Sequence, residues 1–184
     1  MELTHFLFNE NMLVYKNRRD EPEKLSQKDE SERMEYMKFV IQRVSEASLS
    51  IDEKVVGQIN RGFVVLIGVS DMDTTEVADK LIKKLINLRI FEDENKKTNL
   101  CLADVNGEIM LISQFTLYAN CKKGNRPSFT EAGSPDFAKG MYEYIVEKCS
   151  ALVPHVATGE FGAMMHISLV NEGPFTIILD SEES

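Results

Sequence analysis

The sequence predicts an α+β domain of mainly antiparallel sheet with two main helices. Three observations carry this. About seven stretches are apolar, or alternate apolar with polar residues, over strand lengths. Only two stretches repeat apolar residues at helical spacing. The links are short and hairpin-like, and the order of elements is not that of a doubly wound βαβ fold. With 184 residues, the chain suits one domain and a modest extra segment.

Residues 1–36 differ from the rest. Between Lys16 and Glu35 nearly every residue is polar, both charge signs are mixed, and Pro22 interrupts the run. That is the composition of a solvated, flexible extension. A docking helix built on Phe6, Leu7, Met12, Leu13 and Val14 is the other reading. The folded domain is expected over 37–184, with Met37 as its natural beginning.

From there, 39–44 is rich in β-formers. Leu49 and Ile51 alternate with Ser48, Ser50 and Asp52, a half-buried strand pattern. Val55 and Val56 lead to Gly57, and 62–69 is a core strand bracketed by glycines. Asp73 with Glu76 resembles a capping box. Val77, Leu81, Lys84, Leu85 and Leu88 then define an amphipathic helix over roughly 74–88. Residues 93–97 form a polar turn, and 108–117 a further strand. Residues 121–135 are loop-like. Ser134 and Pro135 start a second helix, with an acceptor at the cap and proline in the first turn. Phe137, Met141, Tyr144, Ile145 and Lys148 line one face of it, and its end is expected near Cys149. At the C-terminus, 164–170 alternates, 171–174 turns and 175–179 closes the sheet.

Composition excludes several classes. No apolar run approaches the ~20 residues of a membrane span. The first residues lack the basic start and clean apolar stretch of a secretory signal. A net charge of −9 excludes a general nucleic-acid coating protein, but not one that touches a single end of a nucleic acid. Cys101, Cys121 and Cys149 are odd in number and lack CxxC spacing. They argue against a disulfide framework or structural zinc and fit a reducing, cytoplasmic setting. No metal and no cofactor is expected: there is no GxGxxG, phosphate loop or HExxH.

Candidate chemistry is sparse. His155 and His166 are the only histidines outside the extension, and either could be catalytic or merely structural. Cys121 has Lys122, Lys123 and Arg126 nearby, as an activated thiol would need, but it also reads as an ordinary loop thiol. Ser113, Gln114, Phe115 and Thr116 place three hydrogen-bonding side chains around one aromatic where an apolar strand stops. Sites are often built at such strand ends. Gly173 and Pro174 read either as a hairpin turn or as a special backbone feature, because an X–Pro bond can be cis. The basic loop with Lys122, Lys123 and Arg126 is the best phosphate-contact candidate in an acidic chain.

Taken in order, FVIQRVSEAS, GQINRGFVVLIGV, NLRIFED, SQFTLYA, KKGNRPSF, TGEFGAMM and SLVNEGPFTIILDS resemble the D-aminoacyl-tRNA deacylase family over about 37–181. The resemblance implies that family's fold, with a barrel-like core. It implies hydrolysis of the ester joining a D-amino acid to the 3′-terminal adenosine of tRNA, with glycyl-tRNA also accepted. It implies a homodimer with active sites at the interface, where a cis Gly173–Pro174 pair enters the other subunit's pocket and rejects L-aminoacyl groups. Arg43 matches the arginine holding that pair. Ser113, Gln114, Phe115 and Thr116 match the catalytic pocket strand, and Phe161 and Met165 match the lining of the adenosine site. Thr116 has no obvious base, and the family reading favours assistance by the terminal 2′-hydroxyl. Phe175, Met164 and His166 depart from the usual pattern. A non-catalytic tRNA- or protein-binding module of the same fold is the alternative, and a cysteine hydrolase using Cys121 is another.

Overall fold

A computed structural model describes residues 37–181. The expectations for 1–36 lie outside the described residues. Eight strands and two α-helices are seen there, in the expected order but with several different boundaries.

The two strand patterns at 39–44 and 49–51 belong to one 14-residue strand, β1 (Lys38–Ile51). Breaks in register after Gln42, Val44 and Leu49 let it bend without ending. A two-residue turn, with positive φ at Asp52 and Glu53, joins it to β2 (Lys54–Ile59). One edge of β1 pairs along its length with β8 (His166–Asp180). The other pairs first with β3 (Gly62–Gly68) and then with β2, always antiparallel.

Helices account for the parallel part of the sheet. β3 is followed by α1 (Thr75–Ile86), the small hairpin β4 (Phe91–Glu92) and β5 (Thr98–Leu100), and then β6 (Glu108–Ser113). β6 lies parallel to β3, because a long crossover can return the chain in the same direction. Likewise α2 (Pro135–Leu152) carries the chain from β6 to the parallel β7 (Val156–Thr158). The order β2-β1-β3-β6-β7 curls until β2 approaches β7. A Cβ on Gly57 would stand 3.2 Å from that of Ala157. The result is a nearly closed barrel.

Period-2 alternation divides the core. Phe39, Ile41, Phe63, Val65 and Ile67 face the helices, against Leu81, Leu85, Ile145 and Cys149. Val44, Leu49, Val64, Met110 and Ile112 fill the barrel interior. Arg43 continues the row of Phe39 and Ile41, so it is drawn inward and only 5% exposed.

Four expectations are corrected. Asp73 is not the cap of α1. Thr74 is, accepting from the Val77 N–H, while the buried Asp73 carboxylate takes the N–H groups of Met37 and Ser70, each at 2.7 Å. Ser134 makes no side-chain cap on α2; its N–H and Oγ donate to Asp71, and the helix runs past Cys149 to Leu152. The strand at 108–117 stops at Ser113, and Phe115–Tyr118 forms a 3₁₀ turn. Gly68 lets it settle there: Leu117 and Tyr118 pack so closely that a Cβ on Gly68 would sit about 3 Å from both. Finally, 171–174 is no hairpin turn. β8 stays on β1 on both sides of it, and only residues 172–175 bulge out, opposite Arg43.

Candidate active site

β6 and β7 are parallel, so their carboxyl ends lie at the same end of the barrel, where open α/β sheets commonly hold ligands. The segment after β6 carries Ser113, Gln114, Phe115 and Thr116. The Gln114 N–H donates to Ile67 O at 2.7 Å and ties the segment to β3. Ser113 and Gln114 are half-buried. Thr116 is exposed, and its Oγ1 accepts from Gln114 Nε2. Phe115 is 56% exposed, unusual for so large an apolar ring. Its edge meets Phe129, with ring centres 5.1 Å apart.

Phe129 closes the basic loop, whose base is the Asn120–Ser128 backbone pair. Lys122, Lys123 and Arg126 are all exposed on it. The ring contact therefore brings this loop beside Phe115.

Beyond β7, Phe161 lines a cleft of about 450 Å³ against α2, with Lys139, Tyr142, Glu143 and Glu160. Its ring centre is 6.3 Å from that of Tyr142, whose hydroxyl donates to Leu111 O at 2.8 Å. Burial pushes the Tyr142 phenol up to about 12. Met165 is half-buried. It closes over Gly159 and packs against the interior core cluster. Phe161 and the 113–116 segment thus share one end of the barrel.

Gly173 and Pro174 do not join them within the chain. The Gly173–Pro174 bond is cis, Gly173 has φ 131°, and both residues are exposed. Arg43 holds the base of this bulge. Its Nε donates to Glu172 O at 3.1 Å, its second nitrogen donates to Ile90 O, and its guanidinium lies 4.7 Å from the Phe175 ring centre. Phe39, Ile67 and Ser113 stand in one row across the sheet. Arg43 is four residues further along β1, so the bulge lies roughly 13 Å along and, three strands over, roughly 14 Å across from Ser113.

Sequence reasoning missed Glu172 and Arg61. The Glu172 carboxylate lies 3.4 Å from Arg43 Nε and 3.5 Å from Arg61 Nε, while the Arg61 guanidinium covers the ring of Phe91. Adjacency to Pro174 was the only signal for Glu172. Arg61 gave none, since a charged residue before a core strand reads as an ordinary turn.

The profile of the D-Tyr-tRNA(Tyr) deacylase family matches residues 40–180. The chain belongs to this family. Its deacylase relatives include proteins named D-aminoacyl-tRNA deacylase from Lactobacillus gasseri, 54% identical over 144 residues, and Thermosipho africanus, 52% identical over 147. These alignments cover 78% and 80% of this chain and 99% of each relative. Among solved structures, the c-Myc DNA unwinding element binding protein superposes with TM-score 0.74 at 37% identity, covering 78% of this chain and 97% of that one. A structure described as "a probable eukaryotic D-amino acid tRNA deacylase" superposes with TM-score 0.68 at 19% identity and shows the shared fold.

Among the described residues of this deacylase chain, neither His155 nor His166 is placed to serve Thr116. His155 precedes β7, where its Nε2 lies 2.9 Å from Gln58 O, and His166 pairs with Ser50 at the far end of β1. Cys121 is exposed at the base of the basic loop, Cys101 is half-buried, and Cys149 is buried. Met164 is 81% exposed. Among the described residues no cluster of three or more His, Cys, Asp or Glu is placed to hold a metal, and no helix is long and apolar enough to cross a membrane.

Proposed function

We propose that this chain hydrolyses the ester between a D-amino acid and the terminal adenosine of tRNA, releasing both, as a check on chirality in translation. Family membership carries the reading, together with the buried Arg43 that grips the Gly173–Pro174 bulge. The reading puts the chain in the cytoplasm, with the machinery that uses charged tRNA.

In this reading two copies form a homodimer, and the Gly173–Pro174 bulge of each enters the other's cleft beside Phe115 and Thr116. Two features support it. Within one chain the bulge and Ser113 are too far apart to act together. The bulge is also exposed on β8, which among the described residues pairs only with β1. Main-chain carbonyls of the bulge receive the substrate's ammonium group and leave no room for an L side chain. A thousandfold rejection needs only about 4 kcal/mol, which a rigid backbone clash can supply. A backbone filter cannot read side-chain identity, so many D-residues pass. Glycine has nothing to clash, so glycyl-tRNA passes too. Phe161 and Met165 would line the adenosine site, and Lys122, Lys123 and Arg126 would contact phosphates.

The first N–H groups of a helical turn find no acceptor within it. Those of Phe115 and Thr116 begin the 3₁₀ turn, and they would stabilise the oxyanion formed when water attacks the ester carbonyl. With neither His155 nor His166 at Thr116, the terminal 2′-hydroxyl of the substrate takes the assisting role. No cofactor or metal enters this mechanism.

The neighbour named for binding a DNA element supports a second reading, a non-catalytic nucleic-acid- or protein-binding module. Incubation with D-tyrosyl-tRNA separates the two. Release of D-tyrosine at enzyme-limited rates is expected. Binding without release overturns the catalytic reading.

A further inference from the structure

Met37 is fully buried, and its backbone nitrogen donates to Asp73 Oδ1 at 2.7 Å. Asp73 is itself only 5% exposed, and its other oxygen accepts from the Ser70 N–H. Lys38 pairs with Asp180 across the sheet, and Ser181 N donates to Met37 O at 3.1 Å. The buried Ser181 Oγ has no hydrogen-bond partner among the described residues. The Asp73 carboxylate thus holds the main-chain nitrogen of Met37, and Ser181, whose hydroxyl is unused, is bonded through its backbone to the same residue. Burial holds the Asp73 carboxyl above its usual range, outweighing the hydrogen bonds from Ser70 and Met37, and Asp180 adds to the rise. A positive charge beside Asp73 would reverse that penalty.

An independent observation concerns length. The alignments of 144 and 147 residues take in 99% of each relative, and the family match runs over 40–180. A span of that size containing 40–180 places the relatives' own starts close to Met37. We propose that the working chain begins at Met37 and that the pocket of Asp73 and Ser181 is a socket for its free α-ammonium group.

An amide nitrogen has one proton to donate, whereas an ammonium has three. Asp73 takes one, and an ammonium has two more to offer than the amide does. The amide bond to Asp73 carries charge on the acceptor alone, whereas an ammonium would carry it on both partners. The relatives span the domain without the preceding segment, so residues 37–184 fold alone. The socket also adjoins the candidate site, because Lys38 lies over the ring of Tyr118 in the 3₁₀ turn.

Two sources could supply this terminus: initiation at Met37, or hydrolysis of the Tyr36–Met37 amide by a protease, which consumes one water and leaves a carboxylate and an ammonium. Mass spectrometry of the protein from its own cells is expected to find a species starting at Met37. Only chains retaining residues 1–36 would overturn the proposal. With Met37→Leu, a near volume-conserving change, loss of that species identifies initiation and its persistence identifies proteolysis.

Asp73→Asn tests the socket in both 1–184 and 37–184. The folding equilibrium constant is expected to fall about tenfold more in the shorter form, where an ion pair is lost rather than a bond from an uncharged amide. Equal losses would overturn it. Should Asp73→Asn fail to fold, α-acetylation of otherwise unaltered 37–184 is expected to lower its folding constant by a similar factor, and no change would overturn the proposal.

Discussion

The Arg43 guanidinium lies over the Phe175 ring, 4.7 Å from its centre, while its Nε donates to the carbonyl of Glu172. Arg43 therefore grips both flanks of the Gly173–Pro174 pair. It also donates to Ile90 O, anchoring the pair to the segment before β4. Phe175 supplies the surface under the guanidinium.

Arg43→Lys keeps the charge but loses the planar fork and the stacking. Stability is expected to fall by about 1–3 kcal/mol in denaturant titration. The D-over-L ratio in kcat/KM should fall by roughly tenfold or more, equivalent to at least ~1.4 kcal/mol of lost discrimination. A residue that served stability alone would leave that ratio unchanged.

Gly173→Ala puts a Cβ at φ 131°, 3.1 Å from both an Arg43 terminal nitrogen and Phe175 N. Such strain costs about 1–3 kcal/mol, and chiral discrimination should weaken with it. Gly140→Ala is the contrast, because that helical position is open. It should stabilise the protein by about 0.5–1 kcal/mol and leave activity alone. Thermal melts and deacylation assays on the pair check both.

Thr116→Ala removes the hydroxyl bonded to Gln114 but leaves the main-chain N–H groups of the turn. Much of the activity is expected to remain. A substrate with a 2′-deoxy terminal adenosine should be nearly inert in single-turnover assays. Equal turnover of the deoxy substrate would refute assistance by the 2′-hydroxyl.

Some of this was legible from residues alone. The β-formers of 39–44 marked a strand, and the inward row that Arg43 shares with Phe39 and Ile41 became visible only in the structure. The glycines at 62 and 68 bracketed β3 as expected. What failed was decided by distant partners. Asp73 and Thr74 are adjacent hydrogen-bond acceptors, and the N–H groups of Met37 and Ser70 occupy Asp73, which left capping to Thr74. Asn171 to Pro174 has the chemistry of a turn, yet β1 holds both flanks in one strand. The Arg61–Glu172 contact joins residues far apart in the chain, so no local pattern announces it. Family motifs rather than periodicity singled out Phe161 and Met165. Their packing on Tyr142 and over Gly159 became visible only in three dimensions.

The Tyr142 phenol, pushed by burial up to about 12 from 10.0, makes a pH prediction. An acid whose pKa is raised by folding contributes stability that is full below its unfolded pKa and is lost as pH rises through the folded one. Stability should therefore decline between about pH 10 and 12. Tyr142→Phe should flatten that part of the decline, at a constant cost of about 1 kcal/mol for the bond to Leu111. Urea titrations across that range, with and without the substitution, read the difference.

The handedness filter is tested most directly by the ratio of kcat/KM for D-tyrosyl-tRNA over L-tyrosyl-tRNA. The account predicts a ratio of about a thousand or more, the return on ~4 kcal/mol of main-chain exclusion. Comparable rates for the two enantiomers would contradict it.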